Sequence, residues 1–188
     1  MSRRLVVLGA PGAGKGTQAA RISEHLGIPT ISTGALFRSH MAARDELGTL
    51  VAGYIDAGNL VPDEVTTRMV AERLAEPDVV EGFILDGYPR NLAQAEQLDV
   101  MLADRPLDAV VEFVVDTEAV VERLLRRAEI EGRSDDTADV IRHRIEVYHE
   151  NTAPLVDHYR GRGLLLEVDA MGQIDDVTER TLAALENA

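Results

Sequence analysis

The run Leu5-Val6-Val7-Leu8, followed at once by Gly9-Ala10-Pro11-Gly12-Ala13-Gly14-Lys15-Gly16-Thr17, constrains this chain more than any other stretch. Four consecutive apolar residues read as a strand buried on both faces. From Thr17 to Leu26, residues Ala20, Ile22, Ser23 and Leu26 fall on one side of a helix. A strand, a glycine-rich turn and a helix in that order form the setting of a phosphate-binding loop. Glycines let the backbone curl so that successive N–H groups converge on an anion. The helix N-terminus adds the positive end of its dipole. Lys15 adds a full charge, and Thr17 offers a hydroxyl for a magnesium ion. The pattern G-x-x-x-x-G-K is met at Gly9, Gly14 and Lys15, with Gly16 where a serine or threonine usually follows the lysine. The competing reading is an ordinary glycine turn, which gives no reason for the lysine.

Lys15 is the only lysine in the chain; histidines aside, every other basic residue is arginine. A lysine retained at the one place where a point charge must reach a phosphate suits that task.

The rest of the chain alternates between strand and helix signals. Ile28-Pro29-Thr30-Ile31 reads as a short strand, and Ser32-Thr33-Gly34 can cap a helix beginning near Ala35. Leu47, Leu50, Val51 and Tyr54 carry helical spacing up to Gly58, and Val61-Pro62-Asp63 opens the next helix. Gly82-Phe83-Ile84-Leu85-Asp86 reads as a buried strand ending in an acid, and residues 92–102 as a helix. Residues 109–116 read as a β-branched strand, 118–127 as a helix and 129–136 as a polar loop. A long amphipathic helix is expected over 140–159, with Pro154 as a possible kink. Residues 164–168 read as the last strand and 177–185 as the last helix. This order predicts an α/β domain of five parallel strands with helices on both faces, and a ligand at the carboxyl ends of the strands.

With 188 residues the chain suits one domain with a full core. A net charge of −14 argues against nucleic acid as a general partner. It leaves room for a small phosphorylated ligand held by local arginines. There is no cysteine, hence no disulfide and no thiolate metal site. No apolar run approaches the roughly 20 residues that span a membrane, and the residues before the first strand are too few for a signal peptide. A cytoplasmic location without membrane partners is the expectation.

Asp86, at the end of a strand beside the phosphate loop, is a candidate to hold magnesium, directly or through water. A helix-capping or solvated aspartate is the alternative. Phosphoryl transfer between two nucleotides must also neutralise phosphates that repel each other. Arg38, Arg90, Arg123, Arg127, Arg133 and Arg144 are the candidates, since a guanidinium can grip two oxygens at once. Each could instead lie on a solvated helix face.

These motifs together resemble the adenylate kinase family in its short-lid form. The segments are Gly9 to Thr17, Ser32-Thr-Gly-Ala-Leu-Phe-Arg38, Gly58-Asn-Leu-Val-Pro-Asp63, Asp86-Gly-Tyr-Pro-Arg90, Gly132-Arg-Ser-Asp-Asp136 and the Gly172 region. Gly16-Thr17 is normal in that family. The resemblance implies a P-loop NTPase-type sheet of order 2-3-1-4-5 and reversible, magnesium-dependent transfer from ATP to AMP, giving two ADP, in a monomer. It implies that Gly12, Ala13, Gly14, Lys15, Gly16 and Thr17 hold the ATP phosphates, with Arg123, Arg127 and Gly172 also facing ATP. AMP would be held by Thr33, Arg38, the backbone of Asn59, Leu60 and Val61, then Gly87, Tyr88, Pro89, Arg90 and Gln94. Arg133 and Arg144 would reach phosphates near the transfer point, and Lys15, Arg38, Arg90, Arg127, Arg133 and Arg144 would form the catalytic set. Thr17 and Asp86 would serve magnesium. Residues 32–61 would be a mobile AMP-binding segment and 127–137 the lid, on a core of 1–31, 62–126 and 138–188. A lid this short, without cysteine, implies no structural zinc. Ala128 stands where short-lid relatives often have glycine.

The nearest alternative is a UMP/CMP kinase of the same fold. Thr33 and Gln94 favour AMP, because pyrimidine kinases tend to carry alanine and asparagine there. A nucleotide-binding regulator without turnover is the other alternative, and the arginine set argues against it.

Overall fold

The computed structural model describes residues 3–132 and 137–188. Its strands are β1 (Arg3–Leu8), β2 (Thr30–Ser32), β3 (Gly82–Asp86), β4 (Ala109–Val114) and β5 (Leu165–Asp169). They form one parallel sheet in the order β2-β3-β1-β4-β5. The helices are α1 (Lys15–Leu26), α2 (Thr33–Ala43), α3 (Glu46–Asp56), α4 (Asp63–Leu74), α5 (Leu92–Met101), α6 (Thr117–Glu131), α7 (Ala138–Val147), α8 (Pro154–Gly161) and α9 (Ile174–Glu186).

The apolar run in β1 is buried on both sides, as two helical layers require. Val6 and Leu8 point into a core with Leu85, Val110, Leu98 and Tyr159. Leu5 and Val7 point into the opposite core with Ile84, Val111, Phe113 and Ile22. Period-two alternation splits one strand between the two layers. Two smaller clusters lie apart. Phe37, Val51 and Val61 pack together around α2 and α3, and Val120, Leu124 and Ile141 join α6 to α7.

Ser32 does cap α2: its hydroxyl accepts from the Ala35 N–H at 3.4 Å. Two local expectations change. Helix α6 continues to Glu131, past the loop boundary expected near 127–129. Residues Arg126 to Glu131 contain no glycine or proline, and the break comes at Gly132, with φ of 62°. The single helix expected over 140–159 is two, joined by a π-helical turn at Tyr148–Thr152. Pro154 has no N–H and its ring would collide with a carbonyl one turn back. The chain inserts a residue upstream of it, so the Ala153 N–H donates to Tyr148 O at 2.8 Å.

Among the described residues, no helix is long and apolar enough to cross a membrane.

Candidate active site

The loop after β1 closes by a turn in which the Ala13 N–H donates to Ala10 O at 3.0 Å. Gly12 sits at φ of 82°, and a Cβ there would come within 2.9 Å of Leu124 and 3.1 Å of the Val120 carbonyl. The loop is thus pressed against α6, a fit available only to glycine. Gly14 caps α1 in the left-handed conformation with no side-chain cap, so side chains leave the first N–H groups of α1 unclaimed. Gly16 and Thr17 are exposed on that first turn. The loop therefore presents converging donors and a helix dipole at one point.

Lys15 lies over this loop and donates to Gly9 O at 2.7 Å and Ala10 O at 3.0 Å. Burial pushes its ammonium down to about 8. The Asp86 carboxylate opposes that shift, while the charges of Arg90, Arg144 and Arg127 add to it. Three of the arginines singled out in the sequence therefore converge on the lysine. They come from the loop after β3, from α7 and from α6. The sheet register sets Val7 and Ser32 beside Asp86, and the Ser32 hydroxyl donates to Asp86 Oδ2 at 3.3 Å.

Two clefts adjoin here. One is lined by Lys15, Gly9, Pro11, Pro89, Tyr148 and Thr152 on the loop side. The other is lined by Thr33, Gly34, Arg38, Asn59, Val61 and Gln94, between α2 and α5. Gly58, Leu60, Gly87, Arg90 and Arg144 line both. Arg38 folds back over Gly34, where a Cβ would lie 3.1 Å from its Nη1. Arg144 packs its aliphatic stem on Gly58, 2.8 Å from the position of a Cβ.

Hydrogen bonds fix several side chains of the second cleft. Thr33 is buried, and its hydroxyl donates to Gly87 O at 3.0 Å. Arg90 Nε donates to the same carbonyl at 2.9 Å. Gln94 is 1% exposed, and its Oε1 accepts the Arg90 N–H at 2.7 Å. Tyr88 is wholly buried, with its hydroxyl 3.1 Å from Thr67 Oγ1, so only its backbone is on offer to a ligand. On the far side of the loop, Arg123 Nη2 donates to Ala170 O at 3.2 Å, which brings it to the Gly172 turn. Arg133 lies outside the described residues.

Several contacts were not readable from motifs. The Thr152 hydroxyl, on the π-helical turn, donates to Arg90 O at 2.7 Å. Arg180 holds the turn around Gly172, donating to Asp169 O and, at 2.7 Å, to Met171 O. His143 Nε2 lies 2.6 Å from Asn59 Oδ1 and ties α7 to the end of the α2–α3 segment. Asn59, Arg90 and the Gly172 turn lie in segments that the sequence singles out, and Pro154 marks the π-helical turn; their partners His143, Thr152 and Arg180 carry no such signal.

The family model for adenylate kinase matches residues 7–164. The chain belongs to the adenylate kinase family. It is 56% identical over 185 residues to an adenylate kinase of Kocuria rhizophila, covering 97% of this chain and 98% of that one. It is 55% identical to that of Thermobifida fusca, over 98% of each chain. A Nocardioides adenylate kinase is 54% identical over 97% of each. The sheet order expected from the resemblance is the one observed. Adenylate kinase activity follows from this membership, and with it the class of nucleoside monophosphate kinase, a phosphotransferase.

Proposed function

We propose that the two adjoining clefts bind ATP and AMP, and that Arg90 and Arg144 stand between the two phosphate chains. The shared lining of the clefts carries this reading: the same two arginines close both, beside the one lysine. ATP phosphates occupy the loop from Gly12 to Thr17, with Arg123 and the Gly172 turn beside its base. AMP lies against Thr33, Arg38, the backbone from Asn59 to Val61, Gly87 to Arg90, and Gln94.

The AMP phosphate oxygen attacks the terminal phosphorus of ATP in line, and no side chain becomes covalent. Lys15, Arg38, Arg90, Arg127 and Arg144 position the groups and neutralise charge. Arg133 joins them from the lid. No general base is required, because the attacking oxygen is already an anion. Thr17 and Asp86 offer a hydroxyl and a carboxylate, hard oxygen donors that suit magnesium, and a Cβ on Gly16, beside Thr17, would lie 3.7 Å from Asp86 Oδ2; an ion bound with ATP would supply further charge neutralisation. Among the described residues no group of three or more acidic, histidine or cysteine side chains could hold a metal by itself.

The separate cluster of Phe37, Val51 and Val61 supports division of an AMP-binding segment (32–61) from the core, and the short lid is assigned to 127–137. The AMP-binding segment has an apolar cluster of its own and can swing without opening the sheet core. Closure excludes water, which would otherwise compete for the phosphoryl group. The chain acts as a monomer in the cytoplasm, leaving both segments room to move.

Turnover with ATP and each of AMP, CMP and UMP tests the assignment. AMP is expected to exceed the others by at least tenfold in kcat/KM. Equal use of CMP would assign the chain to pyrimidine nucleotides, and binding without turnover would make it a regulator.

A further inference from the structure

The buried amide of Gln94 is held at both ends. Its Oε1 accepts the backbone N–H of Arg90 at 2.7 Å. Its Nε2 donates to Asp63 Oδ1 at 2.7 Å. A backbone N–H can only donate and a carboxylate can only accept, so the two contacts fix which end of the amide is which. Turning the amide over would set its NH2 against the Arg90 N–H and its carbonyl against the Asp63 carboxylate.

Asp63 is exposed but held by further bonds. It is the first residue of α4, and its carboxylate also accepts from Asn91 Nδ2 at 2.9 and 3.2 Å. Asn91 in turn caps α5, its Oδ1 accepting the Gln94 N–H at 2.8 Å. The starts of α4 and α5 are thus tied through one carboxylate that receives two amide donors.

With these bonds made, Gln94 has one lone pair left on Oε1 and one hydrogen left on Nε2, and the residue lines the cleft between α2 and α5. A 6-aminopurine matches that pair: its exocyclic amine donates to the oxygen and its ring N1 accepts from the nitrogen. A 6-oxopurine offers the reverse, a carbonyl at position 6 and a donor at N1. The orientation of one amide therefore decides between the two classes of base.

We propose that Asp63 is a specificity-determining positioning residue: by holding the Gln94 amide in one orientation, it makes the site select 6-amino over 6-oxo purine monophosphates. This rests on Gln94 meeting the base of the acceptor nucleotide, as set out above.

The test compares kcat/KM for AMP and inosine monophosphate, with ATP saturating, in the wild type, Asp63→Ala, Asp63→Asn and Gln94→Ala. The wild type is expected to prefer AMP by on the order of a hundredfold or more. In Asp63→Ala the amide hangs on one bond, and the preference falls by about tenfold, through a higher KM for AMP and a lower one for inosine monophosphate. Asp63→Asn keeps one acceptor oxygen for two donors and falls between. It also carries the comparison if Asp63→Ala does not fold. An equal loss with both nucleotides, leaving their ratio unchanged, overturns the proposal and makes Asp63 a support for α4 alone. If that happens while Gln94→Ala abolishes the preference, the base contact stands without Asp63. If Gln94→Ala leaves the preference intact, the base contact fails and the proposal with it.

Discussion

Raising the pH should weaken ATP binding through Lys15 alone. In the free protein its ammonium loses its proton near pH 8 instead of 10.5, chiefly because it is buried, with the three neighbouring arginine charges adding to the shift. Bound phosphates reverse both influences, so the complex holds the proton more tightly than the free protein does. Below about 8 both states carry the charge and affinity is level. Above 8 the free protein must first take up a proton, so Kd rises about tenfold per pH unit until the pKa of the complex is reached. At pH 9 binding should be about tenfold weaker than at pH 7. If the complex restores 10.5, the full span is roughly 3 kcal/mol; Lys15 keeps some solvent contact, so about half of that is expected. The same depression acts on folding with a definite sign. Between 8 and 10.5 the unfolded chain binds more protons than the folded one, so the free protein gains stability as pH rises through that window. Because Lys15 is the only lysine, lysine-selective isotope labelling gives a single side-chain resonance to titrate. Calorimetry in buffers of different ionisation enthalpy should show on the order of one proton taken up per ATP at pH 9 and little at pH 7. Lys15→Met should bind ATP weakly at every pH, without proton uptake. A resonance titrating near 10.5 in the free protein, together with a flat Kd from pH 7 to 9.5, would refute the reasoning.

Thr152→Val removes the hydroxyl that holds the Arg90 carbonyl. It should cost about 1–2 kcal/mol in chemical denaturation and lower turnover more than it weakens ATP binding by itself. Gly48→Ala places a Cβ 2.1 Å from the His40 carbonyl, forcing α2 and α3 apart. A loss of about 1–3 kcal/mol in thermal melting and a raised KM for AMP, with ATP affinity little changed, are expected. Gly12→Ala meets both a positive φ and the side of α6. ATP titration should show affinity falling at least tenfold, while the sheet core, followed by hydrogen exchange, stays protected.

What the sequence determined by itself was local. The alternation of strands and helices was readable because side-chain periodicity and glycine conformation act over a few residues. The strand Gly82–Asp86 and the Ser32 cap fell where their residues placed them. The phosphate loop was legible because its chemistry is contiguous, from Gly9 to Thr17. The end of α6 was misplaced because polarity was read as loop where only Gly132 could break the helix. Pro154 announced a disturbance but not its form, since a π-helical turn depends on what the freed carbonyls and Thr152 find to bond. Tertiary structure alone decided the rest. Thr152 and Arg90 are 62 residues apart in the chain, and Gln94 and Asp63 are 31 apart. No propensity links such pairs; α5 packs against both α4 and α8, and hydrogen-bonding geometry then selects the partners. The lowered pKa of Lys15 is of the same kind, a product of burial and of charges delivered from α6, α7 and the loop after β3 to a single point.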